Sequence, residues 1–293
     1  MSTPITGSST TLKKTTNIPQ DGVEDVNQAS VLPAFQDLLN NTYYLSRTQV
    51  YTRPQVSIQC LNGTNIIIQP FKGIFVSTTS PTENWVEYSK TTTTSLSGTN
   101  VEGGGGYVAN TVYYIYLIAA GVSPSFILST DAPDASLTFR VTAGTEQINH
   151  RYMGSCTTYD NGGTPTVVPY KQTNLTYTLS GKFGATNYSG APMASGATFN
   201  DVTFTTLPAT AKIVDTVFYL LNDIATDGQL FYTAKGSETL LTASDFDVVS
   251  NTGASRRVYI KSMGTGTSNA CAAKLSPADA NRNVTIYWIG YKE

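Results

Sequence analysis

The residues that could carry out catalysis are few and scattered along the chain. His150 is the single histidine, so a Ser-His-Asp or Cys-His arrangement has one candidate base, and no G-x-S-x-G nucleophile motif accompanies it. A glycosidase needs only two positioned carboxylates. Three close pairs could supply them, and these are Asp131 with Asp134, Asp223 with Asp227, and Asp245 with Asp247. Each pair lies beside Pro, Gly or Ser, which favours a role in turns. We therefore predict that the chain is not an enzyme.

Patterns that bind metals or cofactors are also missing from the sequence. Cys60, Cys156 and Cys271 are far apart, odd in number and without a C-x-x-C pair, so they indicate neither a zinc site nor a disulfide framework. We expect reduced, buried thiols. The four glycines at 103–106 are followed by no G-K-[S/T] and no helical pattern, so they predict a hairpin tip rather than a phosphate-binding loop. We therefore expect no cofactor and no metal ion.

Charge and hydropathy exclude two classes of partner. Charged residues make up 13% of the 293 residues, against about 25% in an average domain. With a net charge of -2, a pI near 5.5 and no basic block, the chain does not suit nucleic acid. No apolar stretch approaches about 20 residues, and the N-terminus shows no secretory signal pattern. We expect a protein made in the cytoplasm, without membrane insertion.

One segment near the N-terminus has a helical pattern. Within residues 25–47, apolar side chains recur every three or four positions, and Pro33 suits the first position of the main helix. The stripe needs a partner surface, which predicts a role in oligomerisation or attachment. Its residues are Val31, Leu32, Phe35, Leu38, Leu39, Thr42 and Leu45.

From residue 49 onward the pattern has a period of two, with turn residues between short segments. The predicted strands are 56–60, 64–69, 72–76, 86–89, 111–118, 125–129, 152–157, 166–170, 175–179, 197–205, 212–222, 229–234, 245–249, 256–261 and 283–292. The expected fold is mainly β, with an N-terminal arm and short helix at 1–48 and two β-sandwich or jelly-roll-like domains at 49–180 and 181–293. Asn62-Gly63 predicts a tight hairpin.

Aromatic residues suggest two further features. Segments 111–118 and 284–291 have similar sequences, rich in aromatic and β-branched residues. Both carry apolar side chains on two faces, as expected at a sheet centre or a subunit interface. Exposed rings on a surface rich in Ser, Thr and Asn would suit sugar stacking. The candidate platforms are Trp85, Tyr159, Tyr170, Tyr188 and Tyr291.

Two parts of the chain resemble virion proteins of tailed bacteriophages. D-V-N-Q-A-S-V-L from Asp25 and T-Y-Y-L from Thr42 are similar to a D-x-V-N-x-x-x-L opening and an L-x-x-R-T-x-Y-L ending that precede a fibre-like β region, although Asn41 replaces a basic residue. Residues 110–121, with the words L-S-T at 128, Y-M-G-S at 152 and V-V-P-Y at 167, look like a β module with the usual form N-T-x-Y-Y-V-Y-L, S-T, R-x-I-G and x-P-F.

The resemblance covers about half the chain and implies a structural component of the virion: a tail fibre, baseplate-attached fibre, head fibre or capsid decoration protein. Its expected partners are itself, as a homotrimer, other virion proteins, and a host-surface glycan or protein at the distal β domain. A free carbohydrate-binding module is the main alternative, but it has no need of the arm and helix. A depolymerase-type tailspike is a third possibility, but the stacked short repeats expected of such a protein are absent from this sequence.

Overall fold

The computed structural model describes residues 56–80, 83–118, 125–188, 199–204, 206–222, 228–234, 246–249, 255–264, 270–276 and 282–293. The predicted N-terminal arm and helix, with every stripe residue from Val31 to Leu45, lie outside these ranges. Within them the prediction of a mainly β fold is confirmed, since helical structure is confined to two single 3-10 turns at Gly98–Asn100 and Glu102–Gly104. No helix in this described part is both long and apolar enough to cross a bilayer.

The strands of the described ranges are β1 (Ser57–Cys60), β2 (Ile66–Ile68), β3 (Phe71–Ser80), β4 (Glu83–Lys90), β5 (Thr94–Leu96), β6 (Val112–Ile118), β7 (Ser125–Ser129), β8 (Phe139–Thr142), β9 (Thr145–Asn161), β10 (Thr164–Val167), β11 (Tyr170–Thr173), β12 (Thr176–Tyr188), β13 (Asn200–Thr203), β14 (Ile213–Asn222), β15 (Gly228–Ala234), β16 (Phe246–Val249), β17 (Ser255–Gly264), β18 (Ala270–Ser276) and β19 (Arg282–Lys292).

In this part of the chain the strands form four antiparallel sheets. The largest has eight strands in the order β17-β14-β19-β12-β11-β1-β2-β5, and a second has the order β10-β9-β6-β7 with β8 paired to β9. A four-stranded sheet, β13-β18-β15-β16, and the β3-β4 hairpin complete the set. The two segments of similar sequence become β6 and β19, each with strands on both sides, so the prediction of sheet-centre positions is confirmed.

The two large sheets face each other across a shared core. The amide N of Ser155 on β9 donates to the Tyr177 hydroxyl on β12 at 3.0 Å. Gln172 Nε2 on β11 donates to the Met153 carbonyl on β9 at 2.9 Å. Buried apolar side chains from both sheets belong to one cluster, and this arrangement is β-sandwich-like. The smaller sheets join the same core, for example through the Phe218 and Tyr232 rings, whose centroids are 5.2 Å apart.

A β-bulge in β9 redirects the side chains that face the core. Ile115 and Tyr116 are successive residues of β6, but their partners on β9 are Gly154 and Tyr152. Met153 between them is therefore an extra residue of β9. Residues three apart point to opposite faces of a regular strand, but the extra residue brings Tyr152 and Ser155 to the same face. Gly154 suits this position, since a Cβ on it would lie 2.1 Å from Gln172 Oε1 and the Gln172 side chain would have to move.

A second bulge lies in β19, where Ile289 is the extra residue opposite β14. It brings Trp288 and Tyr291 to the same buried face, with ring centroids 5.8 Å apart. A Cβ on Gly290 would lie 2.5 Å from the Tyr177 carbonyl oxygen of β12. Both bulges therefore have the form aromatic, aliphatic, glycine.

Most predicted strands coincide with observed ones, but two turn predictions need comment. The strands around Asn62-Gly63 do pair as a hairpin, although residues 61–65 make a longer loop than the expected two-residue turn. The prediction for the glycines at 103–106 was wrong. They connect β5 and β6, which belong to different sheets, so they lie in a crossing loop and not at a hairpin tip.

The predicted boundary between residues 180 and 181 falls inside β12, and the eight-stranded sheet combines strands from both sides of it. The division of the chain into two domains stays a prediction.

Candidate functional site

An ion-pair cluster lies where the loop after β5 meets β7 and β8. Arg140 Nη2 is 2.6 Å from Glu102 Oε2 and 2.5 Å from Asp131 Oδ2. Thr142 Oγ1 donates to Asp131 at 3.0 Å, and Ser129 Oγ donates to Glu102 at 2.9 Å. We call these five residues the Arg140 cluster. It connects three separate segments of chain through one guanidinium.

The electrostatics of the Arg140 cluster hold both carboxylates in the ionised form. Hydrogen bonds from Arg140 lower the pKa of Asp131, with a smaller opposing effect of burial. Burial acts to raise the pKa of Glu102, but the hydrogen bonds from Arg140 and Ser129 and the arginine charge bring it below its ordinary value. A glycosidase pair needs one carboxyl that stays protonated. These two carboxylates therefore suit a structural clamp better than acid-base chemistry.

The predicted acid pair of Asp131 and Asp134 is split between two roles. Asp134 Oδ1 accepts hydrogen bonds from the backbone N of Thr138 at 2.6 Å and of Phe139 at 2.8 Å, so its predicted turn role is confirmed. Its sequence neighbour Asp131 instead belongs to the Arg140 cluster. Residues 223–227 and 245 lie outside the described ranges, and Asp247 lies in β16.

His150 lies on β9 and is partly buried. Its Nδ1 is 2.8 Å from Asn149 Oδ1, and its ring meets Tyr116 edge to face with centroids 6.4 Å apart. Burial lowers its pKa, as does the charge of Arg140. His150 is thus largely neutral at pH 7 and packed against an aromatic ring. Among the described residues no group of three or more His, Cys, Asp or Glu side chains could hold a metal ion.

The structure brings together a second polar group that the sequence did not predict. The Glu293 carboxylate is buried and accepts hydrogen bonds from four hydroxyls. Oε2 accepts from Tyr152 at 2.6 Å and Tyr177 at 2.7 Å, and Oε1 accepts from Ser155 at 2.7 Å and Thr210 at 2.5 Å. We call these five residues the Glu293 cage. It joins β9, β12 and the segment 206–211 around the end of β19.

The cage escaped prediction because its members are 83 to 141 residues from Glu293 in sequence. The sequence did contain a signal for the two bulges. Gly154 and Gly290 each lie inside a predicted strand, and a glycine within a strand often marks a bulge. The two bulges meet at the cage, where Ser155 Oγ and Tyr291 Oη are 2.9 Å apart.

The proposed sugar platforms need correction. Tyr170 and Tyr291 are each 2% exposed, so their rings cannot stack on a ligand at the surface. They were misjudged because both lie on strand faces that the opposite sheet covers. Tyr159 is partly buried, and the side chains of Trp85 and Tyr188 are outside the described part. Cys60 and Cys156 are buried free thiols, as predicted.

The Arg140 cluster leads to a prediction about acid. We expect Arg140→Met to reduce the free energy of unfolding at pH 7 by about 1 kcal/mol, a modest value because the carboxylates are 49% and 36% exposed. Since both folded pKa values are lowered, this stabilisation is present above the unfolded values and is lost as pH falls through the folded ones. Urea unfolding between pH 3 and 7 measures it, with Lys171→Met, a change of an exposed side chain on β11, as control. Equal stability of Arg140→Met and wild type at pH 7 would contradict a stabilising role of the Arg140 cluster.

Comparisons with known proteins add little. No protein-family model and no curated protein matches the chain. Among solved structures it is similar to a crystal structure of a Bacillus thuringiensis Cry1Da tryptic core variant, at 10% identity over 85% of this chain and 54% of that one, with a TM-score of 0.14. This chain spans about half the length of that protein. A likeness at such a TM-score supports no conclusion about fold or function.

Proposed function

We propose that the chain is a structural subunit of a bacteriophage particle, a fibre-like or decoration protein attached through its N-terminal region. It acts as a homotrimer, contacts other virion proteins and presents its distal β block to a glycan or protein on the host surface. The described part is organised, in this proposal, as two β-sandwich or jelly-roll-like domains. The proposal gives the chain a place in the virion and no catalytic activity.

One observation supports this proposal above the others. The words that resemble a virion β module begin at residues 110, 128, 152 and 167, and the first three fall on the adjacent strands β6, β7 and β9. Ile115 of β6 pairs with Leu128 of β7 on one side and with Gly154 of β9 on the other. The fourth word begins at Val167, the last residue of β10, which pairs with Thr158 of β9. The next residue, Val168, donates its backbone N–H to the Thr157 carbonyl at 2.8 Å. The resemblance thus falls on neighbouring strands of the five-stranded sheet and ends at Tyr170, the first residue of β11 in the eight-stranded sheet.

The chemistry of the described polar groups agrees with a structural role. The Arg140 cluster has both carboxylates paired to a cation, and Asp134 is used by a turn. The Glu293 cage is closed within the core. A carbohydrate-binding module remains the alternative, but two of its five candidate platforms, Tyr170 and Tyr291, are buried.

The helix stripe provides the test. We expect the wild-type protein to be a homotrimer and Leu38→Asp to be monomeric and absent from assembled particles, because a charge in an apolar seam between subunits loses its hydration. Light scattering measures the oligomeric state, and particle incorporation is followed by immunoblotting. Asn41→Asp, a polar position on the same segment, is the matched control and should assemble normally.

Two results would count against the proposal. One is a wild-type monomer, or a Leu38→Asp protein that still forms trimers and enters particles. The other is a wild-type protein that is retained on host glycans but is absent from assembled particles, which would favour the carbohydrate-binding alternative.

A further inference from the structure

The sequence contains two Asn-Gly dipeptides, Asn62-Gly63 and Asn161-Gly162, and the structure places them in different surroundings. This dipeptide is chemically reactive. Because glycine has no side chain, its backbone N can approach the side-chain carbonyl carbon of the preceding asparagine and form a ring with it. The asparagine side chain must turn and the following peptide must rotate, so hydrogen bonds and packing at either group slow the reaction.

Asn161-Gly162 lies at the tip of the β9-β10 hairpin. Asn161 is the last residue of β9 and pairs with Thr164, the first residue of β10, so Gly162 and Gly163 form a two-residue turn. The φ angles of the two glycines are 63° and 88°, and two positive values are typical of a type I′ turn. A Cβ on either glycine would meet no atom within 4 Å. The peptide that must rotate is therefore in open space.

The two groups that would react are exposed at this turn. Asn161 and Gly162 both face solvent. Among the described residues, none is hydrogen-bonded to the side-chain amide of Asn161 or to the backbone N of Gly162. The hydrogen bond within the turn runs from the backbone N of Gly163 to Asp160 Oδ1 at 2.7 Å, so it leaves the attacking nitrogen unengaged.

The same dipeptide in the loop between β1 and β2 is held in place. Asn62 Oδ1 accepts hydrogen bonds from the backbone N of Thr64 and of Asn65, both at 3.1 Å. Gly63 is buried, and its carbonyl accepts from the backbone N of Val167 on β10 at 2.8 Å. Rotation of this peptide would break the contact between the loop and β10, and turning the Asn62 side chain would break two hydrogen bonds.

We propose that Asn161 is a site of spontaneous deamidation and that the fold protects Asn62 from the same reaction. The Gly162 N loses its proton and bonds to Asn161 Cγ, the bond from Cγ to the amide nitrogen breaks, and that nitrogen leaves as ammonia with the proton. Water then opens the ring at one of its two carbonyl carbons. Opening at Cγ gives aspartate, and opening at the backbone carbonyl gives isoaspartate. The net reaction converts an amide and water into an acid and ammonia.

Both products change the hairpin tip of the five-stranded sheet. Each places a new carboxylate beside Asp160 and takes the net charge of the chain from -2 to -3. In isoaspartate the backbone of residue 161 is also longer by one carbon atom, at the position that pairs with Thr164. The extra atom displaces the end of the ladder between β9 and β10. The surface charge and local pairing at this tip therefore change with the age of the protein.

The test is incubation of the full wild-type chain at mildly alkaline pH, in native buffer and in urea, followed by digestion and mass spectrometry of the peptides that contain Asn62 and Asn161. In native buffer Asn161 should be converted about tenfold faster than Asn62 or more, since Asn62 must first lose two hydrogen bonds. In urea both dipeptides are unfolded and the two rates should become similar. Asn161→Gln should remove the fast conversion, because glutamine forms the larger ring slowly, and Asn62→Gln should keep it.

The comparison is made within one wild-type chain, so it does not depend on the folding of a variant. Equal rates for Asn62 and Asn161 in native buffer would overturn the proposal. So would a difference that persists unchanged in urea, since it would then come from the neighbouring residues and not from the fold. A native Asn161 that stays intact while the unfolded one is converted would contradict the proposal as well.

Discussion

Replacing Trp288 with alanine is expected to reduce the free energy of unfolding by about 3–5 kcal/mol, because the indole is the largest fully buried side chain of the described residues. Trp288 lies on β19, which is paired on both sides, with β14 and with β12, in the eight-stranded sheet. Its side chain also lines a small cavity with Cys156, Tyr170 and Tyr291, so removing the indole enlarges an existing void. A larger residual cavity means a larger loss.

Guanidinium unfolding followed by far-UV and near-UV circular dichroism measures this loss. Lys292→Ala on the same strand is exposed and should change the free energy by no more than about 0.5 kcal/mol. Because both large sheets share one core, the two signals should still change together in Trp288→Ala. A loss below about 1 kcal/mol would mean that Trp288 does not occupy the packed position described.

Gly290→Ala should cost about 1–3 kcal/mol although it adds a single methyl group. The new Cβ would lie 2.5 Å from the Tyr177 carbonyl oxygen, and a backbone atom in a paired strand cannot rotate away as a side chain can. β19 would have to move from β12 and disturb the bulge that aims Trp288 and Tyr291 into the core. The bulge therefore depends on the absence of a side chain at this position.

Gly181→Ala is the matched control, since Gly181 lies on β12 with nothing near its potential Cβ. It should be neutral within about 0.5 kcal/mol. Thermal and denaturant unfolding of both variants give the comparison. Equal stability of the two alanine variants would show that the close approach at Gly290 is relieved without cost.

The period-two pattern predicted the strands well where side chains alternate or are β-branched. β6, β7, β14, β15 and β19 lie within one residue of the predicted limits. β18 was not predicted because its sequence A-C-A-A-K-L-S is rich in alanine, which has little strand preference. Its conformation follows from pairing with β13 and β15 on either side. The short strands β5 and β8 were also not predicted.

The candidate site was less predictable than the fold. The turn role of Asp134 could be read from its neighbours, because an Asx turn is a local interaction. The ion pair of Arg140 with Glu102 joins residues 38 apart, and the Tyr152 hydrogen bond to Glu293 joins residues 141 apart. Such contacts depend on which sheet faces cover each other. That same dependence made Tyr170 and Tyr291 look like surface platforms when they are core residues.

The position of β19 in the sheet has a consequence for synthesis of the protein on the ribosome. β12 and β14 have β19 between them, yet β19 is translated after both of them. While residues 282–292 are still in the exit tunnel, the β12 edge and one β14 edge have no partner strand, and open edges invite pairing with other nascent chains. The eight-stranded sheet can therefore close only after translation passes residue 292. Slowing elongation over the codons of β19 should increase the aggregated fraction more than slowing it earlier.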